Sequence, residues 1–366
     1  MNAIAETPFA SISHFRAAHD APDSGPQLRA IREAAPRFRE WFKATGTPAF
    51  VKTVDLATLP YPSKYGFLHA GKTLSPYIIM TNRMLIVQWH DADDRLRTLL
   101  WEPSDVETGR NCPFFARLAA SIPNGVEKLI SSVKSDLISP LRALGIHPED
   151  VDYLSFDHLH IQDCRRLLGT RDPAPDLGSP DQPLRGFFPN ARLITQQAEI
   201  DLLEDPHPLQ RVWYQHETYR NLREGAMLPI QGDTLLGPGV ALLFTPGHTP
   251  GNQSLVLNTA TGIWATSENA VAAECLTPQY SRIPGLRSWP KNMNQEVVLN
   301  GNTIEATARQ YNSLMTEKLV VDPSQKDPRF LQFLPSSELT AHPLNVLGQP
   351  TFAHGGIAHG QACATR

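Results

Sequence analysis

Two short segments hold most of the side chains able to do chemistry. The first is Asp157-His158-Leu159-His160-Ile161-Gln162-Asp163, which directly follows the apolar run 151–156. Two histidines at i and i+2 at the end of a strand point the same way, so both imidazoles can reach one ion. Such a pair alone is weak evidence, because isolated histidines are commonly structural. The second segment, Thr245-Pro246-Gly247-His248-Thr249-Pro250-Gly251, lies between the apolar stretches 240–244 and 254–257. Its glycines and prolines demand a tight loop that presents His248 at a strand end. A third imidazole beside the first two would complete a three-histidine site with an open fourth position, the arrangement of a catalytic zinc.

The flanking pattern indicates how these residues are held. Strands are expected at 77–80 and 84–89 around a turn-like Thr81-Asn82-Arg83, then at 95–101, 151–156, 191–195, 240–244, 254–257 and 263–266. A helical periodicity, Val126, Leu129, Ile130, Val133, Leu137, Leu141 and Leu144, is expected to kink at Pro140 and end at Gly145. Before residue 50 an amphipathic stretch through Leu28, Ile31, Phe38, Trp41 and Phe42 is interrupted by Pro36, which predicts two helices. The Pro/Asp/Gly-rich stretch 171–185 reads as a surface insertion, and the Gly/Ala-rich end with His354 and His359 as a tail without order. Strands interleaved with helices make this a layered α/β protein.

Composition narrows the function classes. The 366 residues carry 33 Lys+Arg against 37 Asp+Glu, a formal charge of −4, which leaves no basic footprint for nucleic acid or anionic lipid. Apolar runs are too short to span a bilayer, and MNAIAETPFASISHFRAAHD lacks a basic segment ahead of an apolar core. Four scattered cysteines without a C-x-x-C fit a reducing, cytoplasmic setting. No G-x-S-x-G, Walker or G-x-G-x-x-G motif occurs. The expected partner is a small-molecule substrate. Residues 1–50 and the end after about 330 are free to cover the pocket or to form a homodimer, and the sequence does not choose between them.

The run 144–153 leading into His158-Leu159-His160 resembles the entry to the H-x-H-x-D-H motif of the metallo-β-lactamase-fold hydrolases. Phe188-Pro189-Asn190-Ala191-Arg192 resembles the strand lead-in that follows there. Gly232-Asp233, Pro238-Gly239-Val240 and the His248 loop resemble the third-histidine block, and 265–270 stands where that superfamily has Gly-Asp-Ala. The match runs in order over roughly 70–325. The resemblance implies a four-layer αβ/βα sandwich with its metals at one edge of the two sheets. The implied organisation is a helical appendage at 1–50, a catalytic domain at 51–330 and an extension at 331–366.

The departures from that pattern matter equally. Gln162 and Asp163 stand where the family has Asp and His, Asn269 stands where it has a bridging Asp, and no histidine occurs near Val321-Asp322-Pro323-Ser324. A neutral carboxamide binds a divalent cation more weakly than a carboxylate and offsets none of the repulsion between two dications. One tightly held zinc on His158, His160 and His248 is therefore expected, with Asp163 and Asn269 completing its coordination or holding a weak second ion. Restoring Asp at 269 is expected to raise second-ion occupancy. Asp163 has a rival role as a helix cap, and His342 is a remote substitute for the missing ligand. Asp157 is expected to orient a ligand imidazole, and Asp163 or Glu268 to move the proton. The implied activity is metal-activated hydrolysis of an ester, lactone, thioester or amide. The alternatives are hydrolytic dehalogenation of the chlorothalonil dehalogenase type, iron-dependent redox chemistry, and a binding protein that has lost catalysis.

Overall fold

The computed structural model describes residues 7–121, 131–301, 303–346 and 348–364. Period-two alternation along the strands builds two sheets that share one apolar layer. The smaller sheet has the order 10–11, 234–237, 240–244, 253–259, 262–266, antiparallel throughout. The larger runs 227–230, 192–196, 153–155, 96–101, 77–90, 50–62, 358–360, with 337–339 also on 77–90 and 132–133 also on 50–62. Its pairings among 227–230, 192–196, 153–155 and 96–101 are parallel.

The layering follows from which residues alternate. Val240, Leu242, Leu255 and Leu257 meet Leu85, Val87, Trp89 and Leu99 between the sheets. Their neighbours Ala241, Leu243 and Val256 face outward, onto Ile31, Phe38 and Phe42 of helix Ser24–Ala44 and Leu314 and Met315 of helix Thr307–Val320. On the far side Met84, Ile86, Leu100 and Leu154 are covered by Leu141, Leu167, Leu202 and Trp213. Strands buried on both faces read as near-continuous apolar runs, as Tyr77–His90 does. The result is the four-layer αβ/βα sandwich that the resemblance implies.

Several local expectations are corrected. Thr81-Asn82-Arg83 is no turn: it lies inside the single strand Tyr77–His90, where Arg83 pairs with Asp55 at 2.8 Å and with Glu338. Satisfied polar groups can occupy a sheet interior, and there they imitate a turn in sequence. Helix Ser24–Ala44 runs unbroken through Pro36, because its buried stripe Ile31, Ala34, Ala35, Phe38 and Phe42 outweighs the lost hydrogen bond. The helix expected from Val126 onward falls partly outside the described residues. Its described part is strand Ser132–Val133 and the one-turn helix Ser139–Arg142, which takes Pro140 into its first turn rather than kinking there. Gly145 does take the left-handed conformation, with φ at 72°.

The tail is also ordered. Ala358–Gly360 pairs with residues 50–52, and His354, 2% exposed, donates from Nε2 to the Leu331 carbonyl at 2.7 Å. Among the described residues no helix is long and apolar enough to cross a membrane.

Candidate metal centre

The site forms where both sheets end at the same edge. His158 and His160 follow strand Tyr153–Ser155 of the large sheet, while His248 follows Val240–Phe244 of the small one. The three rings converge, with centroids 4.3, 4.5 and 5.3 Å apart. One nitrogen from each lies within 4.8 Å of the others, and among the described residues this is the one such group of potential metal ligands. All three are buried.

Hydrogen bonds fix each ring's orientation. Asp157 Oδ1 accepts from His158 Nδ1 at 2.5 Å, so Nε2 faces the cluster. Gln210 Nε2 donates to the His248 carbonyl and to Glu305, which leaves Gln210 Oε1 to accept from His160 Nε2 at 2.7 Å. His248 Nδ1 lies 3.3 Å from Gln310 Nε2, which donates to the Asn300 carbonyl at 2.7 Å. As a result, Nε2 of both His158 and His248 is buried with no hydrogen-bond partner. Orphaned buried nitrogens are costly, and two of them aimed into one cluster fit a shared cation.

The electrostatics agree with that fit. Burial and the neighbouring His158 charge push the His248 imidazolium down to about 3, and burial holds His160 well below its ordinary value. Burial alone would lower His158 as well, but the charge and hydrogen bond of Asp157 outweigh it and push His158 up to about 9. The cluster therefore provides two neutral imidazoles and a third position biased toward positive charge.

The remaining sequence candidates divide. Glu268, past the end of strand Gly262–Thr266, faces the cluster with Oε2 4.0 Å from His158 Nε2, while its Oε1 accepts from Ser337 Oγ. Asn269 turns the other way: Nδ2 donates to Glu317 Oε1 at 3.0 Å, and Oδ1 is buried without a partner. Asp163 accepts the Arg165 amide at 3.1 Å and pairs with its guanidinium at 2.7 Å, at the start of helix Arg165–Leu168. Gln162 donates to Ser104. His342 accepts the Leu344 amide in its own loop and is not part of the cluster. Cys164 is buried, which pushes its thiol up to about 12.

Sequence reasoning missed several participants. Glu102, directly after strand Leu96–Trp101 and in a left-handed conformation with φ 58°, accepts the Asp157 amide at 2.6 Å. Burial, with Asp157 and Glu268 nearby, raises its carboxyl well above the ordinary range. Ser336 donates to Asp157 Oδ2 at 3.0 Å. The signal for Glu102 was its place at a strand's carboxyl end; Gln210 and Ser336 carry none that is local. Over the cluster, Leu59, Tyr61, Met80, Phe115 and Trp213 wall a cleft. A larger apolar cleft adjoins it through Leu59, Asn82, Phe115 and Ile161.

No family model matches the chain. An N-acyl homoserine lactonase of Bacillus cereus is 31% identical over 129 residues, 34% of this chain and 39% of the relative. The N-acyl homoserine lactonase AttM of Rhizobium radiobacter is 28% identical over 125 residues, 33% of this chain and 41% of its own. The chain thus spans about two fifths of the length of the curated relatives it matches. Among solved structures, the hydrolase AbOPH of the beta lactamase superfamily aligns over 88% of this chain and 99% of its own, with 13% identity and a TM-score of 0.46. The H-x-H and T-P-G-H blocks occur in this order, the sandwich brings their imidazoles together, and over about a third of its length the chain is similar to those lactonases.

Proposed function

We propose that the protein is a metal-dependent hydrolase that opens a small ester, with a lactone the favoured substrate. The observation that carries this reading is the pair of orphaned Nε2 atoms of His158 and His248, converging with His160 beneath an apolar-walled cleft. These three imidazoles would hold the ion, a single zinc in our reading with iron as the alternative. When bound, such an ion acidifies water toward neutrality and polarises a carbonyl.

The chain's own residues supply the rest. Asp157 holds His158 in one tautomer and orientation, and Gln210 does the same for His160. Glu268 faces the cluster and is the group placed to accept a proton from water and pass it to the leaving alcohol. Leu59, Phe115 and Trp213 exclude water from the apolar part of the substrate. Asp163 and Asn269 are engaged with Arg165 and Glu317, which supports one ion rather than two. The lactone preference rests on the resemblance to the lactonases. A cytoplasmic location fits the four cysteines, which are free thiols.

The test is hydrolysis of a short-chain lactone and of an uncharged aryl ester, with metal content measured by elemental analysis. Activity is expected to vanish with chelator and return with zinc, and His248→Ala is expected to lose most bound metal. An inert protein at full zinc occupancy, or full metal content in His248→Ala, overturns the reading.

A further inference from the structure

Glu199 joins the two ligand loops, as Gln210 does through His160 and the His248 carbonyl. It lies in helix Gln197–Glu204, directly after strand Arg192–Gln196, and its side chain is completely buried. Both carboxylate oxygens are fully engaged. Oε1 accepts the Leu159 amide at 2.9 Å and the Tyr214 hydroxyl at 2.5 Å. Oε2 accepts the Thr249 hydroxyl at 2.7 Å and the Gly251 amide at 3.2 Å. Leu159 is the residue between His158 and His160, and Thr249 follows His248. One carboxylate therefore grips the middle of the H-x-H segment with one oxygen and the third-histidine loop with the other.

The packing shows that the contact is built into the loop. A Cβ on Gly251 would lie 2.3 Å from the Glu199 backbone nitrogen and 2.4 Å from its Cβ, so only glycine allows the loop to come this close. The carboxylate is also the one side chain of this size that accepts on both oxygens. Glutamine would present an NH2 to one of the two backbone amides. The hydroxyls of Tyr214 and Thr249 can rotate to accept, but a backbone N–H cannot.

We propose that Glu199 is the positioning residue that sets the distance between the His158–His160 pair and His248, and so tunes the affinity of the site for its ion. This rests on the metal-centre reading above, and it concerns a residue that touches neither the ion nor the substrate.

The test uses the full chain, stripped of metal and titrated with cobalt or zinc against a chromophoric chelator. Glu199→Gln is expected to weaken metal affinity by about 10–100-fold and to alter the visible spectrum of the cobalt form. Thr249→Val and Tyr214→Phe each remove one hydroxyl donor, leave both backbone contacts, and are expected to weaken affinity by a few fold. These two also decide the matter should Glu199→Gln fail to fold. A purely structural role would lower the unfolding midpoint of the metal-free variants and leave the affinity and spectrum of the folded protein unchanged, and that result overturns the proposal. Wild-type protein that binds metal but hydrolyses nothing would remove the proposed activity and leave the role of Glu199 standing. Wild-type protein that takes up no divalent ion would overturn both.

Discussion

Asp157→Asn separates the charge of Asp157 from its shape. The amide oxygen can still accept from His158 Nδ1, and Ser336 can turn its hydroxyl to accept from the new NH2. What disappears is the negative charge that lifts His158 from 6.5 to about 9. That interval corresponds to about 3 kcal/mol of preference for a cation at this position. In the wild type a metal ion must displace the His158 proton below pH 9, so apparent affinity should rise about tenfold per pH unit from pH 7 to 9. His248, pushed down to about 3, adds no slope in this range. In Asp157→Asn the largest influence raising His158 is gone while burial still lowers it, and the slope should flatten. The variant should bind about 10–100-fold more weakly at pH 9, as for other partners of ligand imidazoles, with the gap closing toward pH 7. The assay is competition of cobalt against a chelator between pH 6.5 and 9. Parallel pH dependences in the two proteins would refute the assignment of the proton to His158.

Other expectations follow from the packing. Buried His354 is pushed down to about 4 by burial, so the unfolded chain takes up its proton at 6.5 before the folded one does. The stability tied to this is complete above pH 6.5 and lost as pH falls to 4, up to about 3 kcal/mol; His354→Asn should flatten urea midpoints over that window, and identical pH profiles would contradict it. Asn269→Asp, which the sequence pattern expects to recruit a second ion, should instead cost about 1–3 kcal/mol, because it replaces the donor to buried Glu317 with a second acid. Unchanged stability together with a second bound ion would reverse that conclusion. Phe38→Ala should cost about 3–5 kcal/mol by removing a fully buried ring stacked on Phe42, read from the denaturant midpoint.

What the sequence disclosed was whatever is encoded locally. The His248 loop was legible because its glycines and prolines specify one tight turn, and the H-x-H pair because a period of two puts both rings on one side. Glu199 was silent for the opposite reason: its partners Leu159, Tyr214 and Thr249 are brought to it by the fold, and an acid in a helix looks like any solvated one. Between Glu268 and Asn269, adjacent in the chain, only the backbone path after strand Gly262–Thr266 decides which side chain faces His158. Thr81-Asn82-Arg83 was misread because the groups that satisfy Arg83 lie at positions 55 and 338.

The two ligand blocks arise from different sheets, and this ties ion uptake to the integrity of the whole sandwich. An ion held by His158 and His160 on one side and His248 on the other acts as a rivet across the seam between the layers. By mass action, free ion at a hundred times its dissociation constant would add about 2.7 kcal/mol to the cohesion of the halves. Melting temperature would thus track the supply of metal, and starvation for it would loosen the protein as well as silence it.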